Sequence, residues 1–208
     1  MTPSDPNERL TLVGPGLALI IVHMEHDIID ADAPFGSVFA AEIERRNVVD
    51  NCRRAAVAVR ENGGLVVFAR IAFKDDGSDL NANIPLLAMA RDANCLIDGT
   101  RGTEIIEELP VGADDVILTH TRPGPFTGTE LEKILHDNAI RDVAVAGVAT
   151  NASVEATIRQ AADLGFSPFL LEDACSAADA AQHDASVGTI GGLFGSVITV
   201  DEMSAALP

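Results

Sequence analysis

The segment IIVHMEHDI, from Ile20 to Ile28, is an apolar run that stops on His23, Glu25, His26 and Asp27. Two more positions have chemistry to offer. His120 closes the segment DVILTH ahead of a Pro/Gly-rich loop, TRPGPFTGT, and Ser153 opens a helical segment after AGVATNA. Imidazole both takes and gives a proton near neutral pH. A serine hydroxyl becomes a nucleophile only when such a base serves it. A helix N-terminus adds free N–H groups and partial positive charge, which suit a developing oxyanion. Each residue also has a plainer reading. His23 is then a satisfied core histidine, His120 a loop histidine, and Thr150, Asn151 or Ser153 a helix cap. His136, on the exposed side of LEKILHDNA, and His183, in AAQHDAS, read as structural.

The elements that must position these residues alternate apolar runs with helical periods. Strands are expected at 17–22, 65–70, 115–120, 142–148, 168–173 and 196–200. Helices are expected over 38–64, near 84–93, over 128–140 and 153–165, and around 180–193. Strands apolar on both faces, each followed by a helix, predict a three-layer α/β/α fold on a parallel sheet with right-handed crossovers. In such sheets ligands bind beyond the carboxyl ends of the strands. His23 ends the first strand, Arg70 the second and His120 the third, while 149–153 follows the fourth. The two histidines and the serine therefore meet at one rim. Glu25 or Asp27 would orient a histidine there.

Composition narrows the function. With 14 Lys+Arg against 32 Asp+Glu the net charge is −18, which repels phosphate backbones and argues against a nucleic-acid partner. Trp and Tyr are absent, so a stacking platform for bases or sugars is poorly supplied. Three scattered cysteines, Cys52, Cys95 and Cys175, without C-x-x-C, form neither a disulfide framework nor a zinc knuckle. The longest clean apolar run is far short of the roughly 20 residues a bilayer needs, and no targeting segment stands at the N-terminus. A single domain over 1–208, with 1–14 as an N-terminal extension, in a cytoplasmic protein is expected.

The segments resemble those of a known family. ALIIVHMEHDI is similar to the opening segment of the isochorismatase-like hydrolases, the cysteine hydrolase superfamily that includes nicotinamidases, carbamoylsarcosine amidases and isochorismatases. VVFARIAFKDDGSDL resembles its second-strand segment, and GTRGTEIIEELPVGADDVILTHTRPGPFTGTELEKIL the region around its third strand. VAGVATNASVEATIRQAADLGF resembles its nucleophile segment, and LLEDACSA the segment after it. The resemblance runs in order over residues 15–202. It implies a six-stranded parallel sheet, a homo-oligomer (dimer or tetramer) and an Asp–Lys–Cys catalytic group. It also implies a cis peptide at Val148–Ala149, with the Ala149 and Ser153 amides as oxyanion donors.

All three catalytic positions differ here. His23 stands at the Asp position, His120 at the Lys position when the loop is aligned on Arg122 and Phe126, and Ser153 at the Cys position. Glu25 replaces the family's usual Gln, and Asp27 matches its second acid. A serine hydroxyl is not ionised near neutral pH as a thiol partly is, so the exchange needs a better base, and two imidazoles titrating near pH 6.5 would supply one. The expected function is hydrolysis of a small-molecule amide, lactam or ester, with His23 and His120 in acid/base roles and Ser153 as nucleophile or hydrogen-bond donor. Two alternatives stand beside it. One is acid–base chemistry without a covalent intermediate (enol-ether hydrolysis, isomerisation or elimination), and the other a catalytically dead small-molecule binder. Phe35, Arg70, Phe73, Arg122, Phe126, Thr150 and Asn151 are expected around the substrate, with Arg70, Arg122 and the N–H groups around Thr150 to Ser153 as holders of an anionic group, although Arg122 belongs to the family's ordinary pattern. Some nicotinamidases hold a metal with histidines after strands one and two. Residues 71–80 contain no histidine and zinc needs three or four ligands, so no metal or other cofactor is expected.

Overall fold

A computed structural model describes residues 12–208, which leaves most of the expected 1–14 extension outside the described residues. Six strands form one parallel sheet: β1 (Leu17–Val22), β2 (Leu65–Ile71), β3 (Val116–His120), β4 (Asp142–Val148), β5 (Ser167–Ser176) and β6 (Ser196–Ile198). Their order is β3-β2-β1-β4-β5-β6, so the direction of winding reverses between β1 and β4. β1 is buried along its whole length, as its unbroken apolar run requires.

Eight α-helices are found among the described residues. They are α1 (His26–Ile29), α2 (Gly36–Arg45), α3 (Val48–Glu61), α4 (Pro85–Ala93), α5 (Leu131–Asp137), α6 (Glu155–Asp163), α7 (Ala180–Leu193) and α8 (Val200–Ala206). They cover both faces and divide the core in two. Leu19, Ile21, Phe68 and Ala144 pack on one side; Ile20, Val22, Val67 and Val145 pack on the other. This is the three-layer parallel architecture expected from the sequence.

The differences have local causes. The helix expected over 38–64 is two helices, because Asn47 takes a left-handed φ of 55° between α2 and α3. Asparagine tolerates that region better than most residues. α8 was not expected; Thr199 and Glu202 cap each other at its start, a short-range signal hidden behind the last strand. No helix among the described residues is long and apolar enough to cross a membrane.

β1 and β4 meet closely at their C-terminal ends. Gly147 has φ 109°, and a Cβ there would lie 2.0 Å from the Val22 carbonyl oxygen. Only glycine lets the two backbones approach in this way at the point where the sheet reverses, which in open α/β sheets opens a crevice for ligands.

Candidate active site

His23 follows β1 directly. Its N–H donates to the Ala69 carbonyl, 2.9 Å away, and continues the ladder for one more residue. Its own φ is +55°, a sparsely populated conformation for a residue with a side chain. Such strain is held where the surroundings over-determine it, and functional sites are where it collects. His120 is the last residue of β3, level with Ile71 of β2. The two imidazoles reach toward each other across the strand ends, with Nε2 to Nε2 at 3.2 Å. Their ring planes are within 16° of parallel and their centroids 5.0 Å apart.

The hydrogen bonds assign the tautomers. His120 Nδ1 lies 2.6 Å from the Arg122 carbonyl oxygen, which can only accept, so Nδ1 carries the proton. In neutral His120 the Nε2 is then an acceptor, and His23 must donate from its own Nε2. That leaves His23 Nδ1 with a free lone pair. Neutrality is what burial dictates. His23 and His120 are 5% and 2% exposed. Desolvation, reinforced by His120, holds His23 well below its ordinary value. Desolvation takes His120 down to about 4, against the pull of the Arg122 carbonyl. Two imidazoles titrating near pH 6.5 were expected; the structure has two bases that stay neutral well into the acid range, because neither has a carboxylate beside it.

Ser153 comes from the other half of the sheet. After β4 and a cis Val148–Ala149 peptide, residues Thr150–Val154 form one π-helical turn that leads into α6. Ser153 is 1% exposed, and its hydroxyl bonds neither imidazole. The Ala149 N–H has no backbone acceptor among the described residues. His23, Val148, Ala149 and Ser153 share the wall of one cavity. Phe35, Phe39 of α2, and Leu86, Leu87 and Ala90 of α4 close it from the opposite side, with Ile28, Ile71, Leu96 and Ala152 between. The cavity volume is about 40 Å³.

The two nearby carboxylates do other work. Glu25 is fully buried and accepts from the Ile71 N–H through Oε1, while Oε2 has no partner among the described residues. Burial pushes it up to about 8, only partly countered by that hydrogen bond, so it is a neutral acid at neutral pH. Asp27 accepts from the Leu96 N–H at 2.6 Å and packs on Gly102, where a Cβ would meet its Oδ2 at 2.3 Å. Neither hydrogen-bonds His23 or His120. They tie β2 and the 96–103 segment to the end of β1.

Of the residues expected around the substrate, Phe35 lines the cavity and the others are placed elsewhere. Arg70 binds Thr119, the Thr103 carbonyl and Asp98 at 2.8–3.1 Å. Arg122 binds the Asn81 carbonyl and Asn83 at 3.0 and 2.8 Å. Phe73 is buried in the core, and Phe126 packs against Phe166 with centroids 6.3 Å apart. Thr150 shares a 2.8 Å hydrogen bond with His183, and Asn151 donates to Gln182. Strand period fixes which residues end a strand; it does not fix where a side chain turns beyond it. The apolar wall from α2 and α4 was not anticipated; Leu86 and Leu87 lie within the helix expected near 84–93 and Phe39 within that expected over 38–64.

His183 also proves less isolated than its sequence context suggested. It is 2% exposed, holds Thr150 through Nδ1 and lies 3.6 Å from Glu172 through Nε2. Arg46 in turn binds Glu172 and the Cys175 carbonyl at 2.8 Å each. No cysteine lines the cavity. Burial raises all three thiols, Cys95 to about 11, so none forms a thiolate at neutral pH. No group of three or more His, Cys, Asp or Glu placed to hold a metal is found among the described residues.

A sheet of this order, with its cavity at the winding reversal and a turn carrying Ser153 beyond β4, defines an isochorismatase-like protein. The chain belongs to the isochorismatase family of hydrolases, matching the isochorismatase domain over residues 17–202. It is 28% identical over 218 residues to the ureidoacrylate amidohydrolase RutB of Klebsiella variicola, covering 99% of this chain and 92% of that one. It is 26% identical over 185 residues to the isochorismatase family protein YwoC of Bacillus subtilis, covering 89% and 90%. A cysteine hydrolase from Pseudomonas syringae shares the fold, with a TM-score of 0.86 and 24% identity over 99% of this chain and 98% of that one.

Proposed function

We propose that the protein hydrolyses a small-molecule amide, lactam or ester through an acyl-serine at Ser153, with His23 as general base. The observation that carries this is the shared cavity. One neutral imidazole with a free Nδ1 lone pair and one buried hydroxyl line the same small apolar chamber. The amidohydrolase activity named for a relative spanning nearly the whole chain supports the reaction class.

In the first half-reaction His23 Nδ1 takes the proton from Ser153 Oγ as Oγ bonds the substrate carbonyl carbon. The carbonyl oxygen gains the negative charge and is met by the Ala149 N–H, with the Ser153 N–H beside it. Collapse breaks the bond to nitrogen or oxygen, and the leaving group takes the proton from His23. Water then repeats the sequence on the acyl-serine, with His23 again as base, and frees Ser153. His120 is a positioning residue here: by accepting from His23 Nε2 it keeps the lone pair on Nδ1 and shares the charge formed during transfer.

One observation favours a second reading. The Ser153 hydroxyl bonds neither imidazole, although such bonds often tighten only around substrate. If it stays a bystander, His23 acts directly on substrate or water, as in enol-ether hydrolysis, isomerisation or elimination. Mass spectrometry after reaction with p-nitrophenyl butyrate separates the two. An acyl adduct on Ser153, absent in Ser153→Ala, supports the covalent route. Full turnover by Ser153→Ala, with loss in His23→Ala, would leave the non-covalent route.

A further inference from the structure

Resting on the hydrolase reading of this site, we infer that its substrate is uncharged, with a short apolar acyl group, and that compounds bearing a carboxylate or phosphate on the acyl chain are excluded. His23 and Ser153 are the polar side chains of the cavity; the rest of its wall is aliphatic, aromatic or alanine. No Lys, Arg, Asp or Glu reaches it. The two arginines nearest in sequence to the catalytic strand ends are occupied. Arg70 is pinned by Asp98, Thr119 and a carbonyl, and Arg122 by Asn83 and a carbonyl. An anion entering the chamber would lose its hydration and find no counter-charge, which is strongly unfavourable.

The remaining charges point the same way. Both imidazoles are held neutral by burial, so neither offers a cation to an anionic group at neutral pH. The chain's net charge of −18 adds a repulsive field for anions approaching from solution. Phe35, Phe39, Leu86 and Leu87 line the same chamber and give a short alkyl chain apolar contacts.

Butyramide and succinamate test this, since they share an amide and chain length and differ in ending on a methyl or a carboxylate. An NMR titration of the wild-type protein, read from the His23 ring resonances, should show butyramide binding at least about tenfold more tightly (~1.4 kcal/mol). Leu86→Arg, at the half-buried edge of the chamber, should narrow or reverse that preference while keeping the melting temperature. Succinamate binding as well as butyramide, or neither moving the His23 signals, would overturn the inference. Selective butyramide binding with no turnover of any amide or ester would uphold the chamber's selectivity and refute the hydrolase reading instead.

Discussion

Three buried histidines, His23, His120 and His183, sit in two unlike settings. His23 and His120 face each other with no carboxylate in contact, so desolvation is the largest influence on both and they stay neutral. His183 sits within a chain of polar partners, Thr150, Glu172 and Arg46, that runs from the first residue of the π turn out to the surface. Burial and Arg46 still lower it, but Glu172 opposes them. The same side chain thus keeps an open lone pair in one setting and acts as a brace in the other. What separates them is whether a lone pair is left over: His23 Nδ1 has one, whereas both nitrogens of His183 are engaged.

Substitutions at the two settings should therefore differ in kind. His23→Ala should cost the most, about 10³-fold in kcat/KM with the fold intact, the middle of the range for a general base. His120→Phe keeps the shape of the ring but cannot accept from His23. It should cost about 10²-fold, and it should also shift the acid limb of the rate profile, which a purely structural contact would not. In the wild type that limb should lie on the acid side of 6.5, the ordinary imidazole value, because turnover needs His23 neutral; a limb at or above neutral pH would contradict the desolvated pair. His183→Asn should act mainly through stability and through Thr150, lowering the melting temperature with less than about tenfold loss of kcat/KM. A loss as large as that of His23→Ala would break the comparison.

Glu25 sharpens it from another side. Its folded value of about 8 lies above its ordinary 4.5. Its contribution to stability is therefore fully present below 4.5 and is lost as pH rises through 8, at up to about 1.4 kcal/mol per pH unit in between. His120, at about 4 against an ordinary 6.5, has the opposite sign: its contribution is present above 6.5 and is lost as pH falls through 4. Denaturant midpoints should therefore be lower at pH 9 than at pH 6 in the wild type. Glu25→Gln, which keeps the shape and cannot ionise, should remove most of that alkaline loss. An unchanged alkaline loss in the variant would mean that Glu25 is not the buried acid responsible.

The sheet was legible because its strands are apolar on both faces, and the rim followed from which residues end them. His23, His120 and Ser153 could be placed at one end of the fold from those two facts. The charge state of the pair could not, since it depends on the absence of a nearby carboxylate. Glu25 and Asp27 stand close in sequence, yet they turn to the Ile71 and Leu96 N–H groups instead. Arg70 and Arg122 stand at the ends of β2 and β3, where an anion holder is expected; their guanidinium groups bind Asp98 and Asn83 and neither lines the cavity. The chamber wall from α2 and α4 is a tertiary fact: helical spacing marked the apolar residues without saying which of them would face Ser153.

The neutral pair with its fixed tautomers is the centre of the account, and ¹⁵N NMR of the histidine rings at pH 7 measures it directly. Both rings should be uncharged, with the proton of His23 on Nε2 and that of His120 on Nδ1. An imidazolium at either residue, or a proton on His23 Nδ1, would contradict it.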